Sequence, residues 1–164
     1  MRSLFLCFVV SAFFACNSNT QKPESGIQLP DNVIESVEER YSAQEDEDSS
    51  LKKAVYIDTT TNEKVAERHF YKSKKIYIEN LFKGGRKNGP SMAFRDSSGI
   101  PWSLHTYKND TLNGPYKVWH ESGNLRIEGQ YNMGIKSGNW RFFDENGLVL
   151  REVNFDDPAN QDPL

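Results

Sequence analysis

GPYKVWHESG at residues 114–123 and GNWRFFDENG at residues 138–147 say nearly the same thing twenty-four positions apart. Counting outward from them gives a ladder. Tyr107 leads by seven residues to Gly114, by five to Trp119, by four to Gly123 and by eight to Tyr131. The same steps run through Tyr131, Gly138, Phe143, Gly147 and Phe155. Upstream, Phe82, Gly89, Phe94, Gly99 and Tyr107 follow them with one residue inserted between Phe94 and Gly99. Three consecutive units with a period of 24 or 25 residues define a repeat protein.

Each unit reads as a β-hairpin. Turn chemistry sits at two places per period, KNDT and NMGI after the tyrosine, then HESGN and DENG after the Trp or Phe. Between them lie short β-prone runs such as PYKVWH, LRIEGQY and NWRFF. Strands this short, with turns this regular, predict an all-β fold: an elongated single-layer antiparallel β-meander built from repeated hairpins. One hairpin is marginal in water, whereas stacked hairpins bury a continuous aromatic row. Glycine inside a strand marks a place where a neighbouring ring covers bare backbone, so Gly114 and Gly138 are expected beneath aromatics.

The pattern resembles the MORN repeat, in particular its bacterial variant in the YwqK-like antitoxin family. NGPYKVW at 113–119 with GNLRIEGQY at 123–131 carries the likeness, as does SGNWRFF at 137–143 with GLVLREVNF at 147–155. A weaker copy is NGPSMAF at 88–94, so the resemblance covers residues 76–155. It implies an elongated single-layer sheet used for binding and scaffolding. It also raises a second reading, a toxin-neutralising antitoxin or immunity protein.

Upstream, KAVYIDTTTNEKVAERHFYK at 53–72 reads as a further hairpin, placing a degenerate first unit or cap at 51–75. Asn62 to Phe70 repeats the eight-residue step with Asn in the glycine's place. The many charges suit a cap that protects a sheet edge with lysines. Downstream, Pro158 and Pro163 with Asp156, Asp157 and Asp162 end the array in an acidic tail at 156–164.

The chain opens with MRSLFLCFVVSAFFAC. Arg2 precedes an apolar run from Leu4 to Phe14, too short to span a bilayer and arranged as a secretory signal over residues 1–15. Phe13-Phe14-Ala15-Cys16 resembles the lipobox of bacterial lipoproteins, with Phe13 where that family usually carries Leu. The resemblance implies cleavage before Cys16, acylation of Cys16 and, since Asn17 follows, anchoring in the outer membrane of the cell envelope. Cys7 lies in the segment to be removed, which leaves Cys16 as the lone thiol of the mature chain. Acyl chains at about 0.8 kcal/mol per buried methylene then hold the protein at the membrane.

Residues 16–50 read as an acidic flexible tether. From 17 to 50 nine acids stand against Lys22 and Arg40, a balance of about −7. DNVIESVEERYS at 31–42 has the spacing of a short helix, marginal on its own, and the stretch as a whole reads as a solvated, self-repelling arm. Residues 51–87 run the other way, to about +6. That asymmetry suggests internal screening or a polar partner, and an envelope address excludes nucleic acid.

No catalytic constellation stands in the sequence. His69, His105 and His120 lack metal-ligand spacing, so no metal is expected. GGRKNG at 84–89 lacks the Walker pattern and a following helix, and reads as a hairpin turn. His120-Glu121 falls in a turn, where the next unit has Asp144-Glu145. The expectation is a non-catalytic protein without a cofactor, an envelope hydrolase being the least favoured of three readings.

The aromatics remain: Trp102, Tyr107, Tyr116, Trp119, Tyr131, Trp140, Phe142 and Phe143. Most are expected to form the core of the sheet. Adjacent residues such as Phe142 and Phe143 must point to opposite faces, so one layer cannot hide every ring. Trp102, Tyr116, Trp119, Trp140 and Phe142 are therefore the candidate partner-binding residues, for a protein partner in the first place. Rings also stack on sugars, which leaves glycan binding open.

Overall fold

The computed structural model describes residues 27–40, 42 and 51–160. Its strands are β1 (Val33–Arg40), β2 (Leu51–Asp58), β3 (Lys64–Phe70), β4 (Ile76–Lys83), β5 (Arg86–Phe94) and β6 (Pro101–Lys108). Then follow β7 (Thr111–Leu112), β8 (Gly114–Trp119), β9 (Leu125–Asn132), β10 (Ile135–Phe143) and β11 (Val149–Asn154). All lie in one open sheet in chain order, antiparallel throughout, with β7 beside β6 just ahead of β8. β7 and β8 are two halves of one strand, interrupted at Asn113, whose N–H donates to the Thr106 carbonyl at 2.8 Å. The expected single-layer meander of repeated hairpins is the fold.

Hairpins turn at two ends of the sheet by different chemistry. At one end the central pairs are Gly84-Gly85 (φ 56 and 75), Asn109-Asp110 (φ 50 and 67) and Met133-Gly134 (φ 49 and 87). Two successive left-handed residues match the right-handed twist of the flanking strands. The GGRKNG stretch is thus a hairpin turn between β4 and β5. At the other end the turns are longer, spanning 71–75, 95–100, 120–124 and 144–148, closed by first-residue N–H to last-residue carbonyl bonds of 2.8–2.9 Å. Their left-handed positions are Lys74, Gly99, Gly123 and Gly147. Lys74 stands where the later units have glycine, eight residues before Phe82, so the periodic turn geometry begins one unit earlier than the aromatic ladder shows.

Two expectations are corrected. Residues 33–40 form neither a helix nor a solvated arm: β1 pairs antiparallel with β2, and the Tyr56 hydroxyl donates to Glu35 at 2.8 Å. VIESVEER has its apolar residues at 33, 34 and 37, a spacing without two-residue alternation, and pairing with the open edge of β2 makes it a strand all the same. β1, not the lysine-rich hairpin β2–β3, therefore borders the sheet. The second correction concerns glycine. A Cβ on Gly114 would meet Thr106, and one on Gly138 would meet nothing within 4 Å. Both have positive φ (123 and 63) and serve register shifts in their strands. The glycine beneath a ring is Gly129, against Trp140.

With no second layer, packing comes from side chains along the faces. Ala54, Tyr56 and Ala66 form a small core under Leu29, Val33, Phe70 and Leu81. Beside it the fully buried Glu79 pairs with Arg68 at 2.6 Å and accepts the Ile27 N–H at 2.8 Å, tying the segment ahead of β1 onto the sheet. After β11 a single 3-10 turn, Pro158–Asn160, closes back on the array, with Asn160 Nδ2 donating to the Asn154 carbonyl at 3.0 Å. The signal segment, Cys16, Asp162 and Pro163 lie outside the described residues.

Candidate functional site

Each hairpin with a long turn carries a β-bulge at the same place. In β3–β4 Phe70 faces Ile76 and His69 faces Ile78, leaving Tyr77 unmatched. By the same count Trp102 is unmatched in β5–β6, Arg126 in β8–β9 and Leu150 in β10–β11. A bulge kinks the strand and re-aims a side chain. Here all four bulged residues are exposed, Tyr77 to 41%, Trp102 to 42% and Leu150 to 66%. They sit on β4, β6, β9 and β11, every second strand of the sheet, and so run in one direction as a row.

The turns beside this row are clamped to one another. Tyr71 donates its hydroxyl to the Phe94 carbonyl at 2.9 Å, and Arg95 Nη2 to the Trp119 carbonyl at 3.0 Å. His120 Nε2 lies 3.0 Å from the Phe143 carbonyl, which can only accept, so Nε2 carries the proton. Three different side chains make one contact, from the first residue of a turn to the strand end before the next. In the last turn Asp144 instead caps itself, accepting the N–H groups of Asn146 and Leu148 at 2.9 and 2.8 Å. A second set of bonds runs parallel, from Lys75 Nζ to the Asp96 carbonyl at 2.6 Å and from Asn124 Nδ2 to the Glu145 carbonyl at 2.6 Å. Ser73 also bonds Asp96.

Between the bulge row and the clamped turns lie two adjoining hollows. The larger, about 730 Å³, is walled by Tyr71, Tyr77 and Trp102 with Arg95 and Glu121, over buried Phe94. Tyr71 and Tyr77 meet edge to face with ring centres 5.1 Å apart. The second, about 490 Å³, is lined by Trp119, His120, Arg126 and Glu145, and shares Arg95 and Glu121 with the first. Arg95 Nη1 stands 3.8 Å from Glu121, whose side chain is 89% exposed, and Arg95 Nε is buried with no acceptor among the described residues.

The candidate binding residues divide between this region and the opposite aromatic row. Trp102 and Trp119 line the two hollows. Tyr116 and Trp140 stack at 5.2 Å in a row with Tyr131 and Phe155, and Trp140 is only 3% exposed. Trp140 is therefore core, held by its Nε1 donating to the Gln130 carbonyl at 3.2 Å. Phe142 is half-buried beside the Arg151 guanidinium, while Phe143 lies near Arg141, so the two rings take opposite faces as expected. His105 joins the row 5.0 Å from Tyr116; burial, then the charge of Lys87, holds its pKa below the usual value.

Elsewhere, Glu67 takes His69 at 2.6 Å, Lys64 at 3.2 Å and Lys53 at 3.6 Å. Burial works to raise the Glu67 pKa, and the bonds from His69 and Lys64 with the charges of Lys64 and Lys53 overcome it, so the net shift is downward. Among the described residues no three His, Cys, Asp or Glu side chains gather closely enough to hold a metal.

The two clamped, bulged hairpins at the C-terminal end have a known counterpart. Residues 112–133 and 136–157 match the MORN repeat variant. The two MORN-variant segments span β7 to β11 and include Tyr116, Trp119, Trp140 and Phe142, whereas Tyr77 and Trp102 lie upstream of them. No curated protein matches the chain. Among solved structures it is similar to TarM at 20% identity and a TM-score of 0.46, over 76% of this chain and 21% of TarM. A mutant of S. aureus TarM in complex with Fondaparinux, alpha-GlcNAc-glycerol and UDP gives 20% identity and 0.47 over the same shares. The chain thus spans about a fifth of the length of TarM, and at these scores the likeness carries no functional argument.

Proposed function

We propose that this chain is a bacterial cell-envelope lipoprotein, anchored in the outer membrane through acylated Cys16, whose MORN-variant sheet is a non-catalytic scaffold for a protein partner. We assign the repeats to the YwqK-like bacterial kind. The observation that supports the scaffold reading is the bulge row, where Tyr77 and Trp102 stand 41% and 42% exposed on strands beside clamped turns. Exposed aromatics on rigid backbone lose little entropy on binding and are favoured anchors.

The test is in-cell crosslinking with the full-length protein as bait, beside a Tyr77→Ala, Trp102→Ala double variant checked by circular dichroism. Specific loss of one crosslinked partner, with the β-sheet signal intact, is the expected result. Retention of every partner by the folded double variant sinks the row as the docking surface. For the anchor, Cys16→Ser should abolish labelling by an alkyne palmitate analogue and release the protein from the membrane fraction.

A further inference from the structure

We infer that the bulge row and its hollows receive a polyproline-II segment of the partner, laid across the strands. The inference rests on the scaffold reading and names the conformation that such a partner presents. Its basis is a spacing. Tyr77, Trp102, Arg126 and Leu150 occur once per two strands, and neighbouring strands stand about 4.8 Å apart, so the row repeats at about 9.6 Å. A polyproline-II chain has three residues per turn and a rise of about 3.1 Å, which brings the same side back every 9.3 Å or so. An extended β-strand repeats a side at about 6.7 Å and falls out of step after one unit.

The chemistry agrees with the spacing. The larger hollow offers the ring surfaces of Tyr71, Tyr77 and Trp102, the kind of aromatic wall on which proline rings dock. A polyproline-II backbone makes no internal hydrogen bonds, and proline has no N–H, so its exposed polar groups are carbonyl acceptors. Donors stand beside the rings: the Arg95 guanidinium between the two hollows and Arg126 in the second. Among the described residues Arg95 Nη1 is engaged by the 3.8 Å pair with Glu121, 89% exposed, and exposed pairs of this kind are weak enough for a ligand carbonyl to replace. Two apolar side chains three residues apart would then occupy the positions at Tyr77 and Trp102, with the next turn of the segment over Arg126.

The test is fluorescence anisotropy of labelled decaproline with the full-length protein, using a glycine–serine peptide of equal length as control. Saturable binding to decaproline alone is expected, weakened about tenfold or more by Tyr77→Ala or Trp102→Ala. Met133→Ser, at a residue 66% exposed in a turn at the opposite end, should leave it unchanged. Absence of saturable binding up to about 1 mM overturns the inference. So does equal weakening by Met133→Ser, or displacement by chitotetraose, which would make the hollows a sugar site. Should the Tyr77→Ala, Trp102→Ala variant lose its cellular partner while decaproline fails to bind, the polyproline class falls and the scaffold stands. Should neither effect occur, both fall.

Discussion

The indole of Trp140 occupies the space that a side chain on Gly129 would need: a Cβ there would stand 2.2 Å from Trp140 Cδ2. Continuing the register of Phe142–Ile127 and Arg141–Glu128 by one step places Trp140 opposite Gly129. Between Ser137–Gln130 and Arg141–Glu128 the β10–β9 register shifts, and the shift brings the ring over the glycine. Gly129→Ala therefore forces the indole out. Overpacking of this order costs about 1–3 kcal/mol. The expected outcome is a lower urea midpoint together with red-shifted tryptophan emission. Gly138→Ala, where only the left-handed φ of 63 is strained, should cost about 1–2 kcal/mol and leave the emission unchanged.

Arg68→Ala should be among the most damaging single changes. It leaves the Glu79 carboxylate, 0% exposed, with the Ile27 N–H but without its 2.6 Å cationic partner. Stranding a buried charge costs about 3–5 kcal/mol. Chemical denaturation measures the loss, and the double variant Arg68→Met, Glu79→Leu should recover most of it.

The turn clamp is tested by Tyr71→Phe, which removes one hydroxyl and nothing else. Losing its 2.9 Å bond to the Phe94 carbonyl should cost about 0.5–1.5 kcal/mol. Hydrogen exchange should quicken in the 95–100 turn but not in the 144–148 turn, two long-turn hairpins further on.

His105 sets a pH dependence. Its folded pKa lies below the ordinary value of 6.5, from burial first and Lys87 second, so the unfolded chain binds more protons between the two values. Stability is therefore full above about pH 6.5 and falls as pH drops towards the folded pKa. Thermal midpoints should decline from pH 7 to pH 5, and His105→Gln should flatten that slope. Below that range Glu67 acts in the same direction: its lowered pKa adds stability that is lost as it protonates.

The hairpins were legible because glycines and aromatics recur at positions that backbone geometry restricts. Asn62, read as standing in the glycine's place, does take a left-handed φ of 57, but its turn lies at the other end of the sheet from those of Gly99, Gly123 and Gly147, and Lys74 holds the equivalent place. The bulge row and the clamps were not legible, although they keep the same period, because their chemistry does not repeat. Tyr71, Arg95, His120 and Asp144 are four unlike side chains at one structural position, as are Tyr77, Trp102, Arg126 and Leu150. A position defined by what its backbone does accepts any side chain that reaches, so residue identity hides it while spacing alone would have found it. β1 was missed for a different reason. Its strand state depends on pairing with β2, and its own eight residues do not decide it.

Val153 occupies, twenty-four residues on, the place held by Gly129 in the preceding unit, and it is 7% exposed beside Trp140. A further hairpin docking as the last one does would bring its ring onto an isopropyl group instead of bare backbone. One unit earlier the same place is held by His105, 5.0 Å from Tyr116, so the floor beneath successive rings changes from imidazole to bare backbone to isopropyl, and that one position sets how closely each hairpin's ring can approach the strand before it.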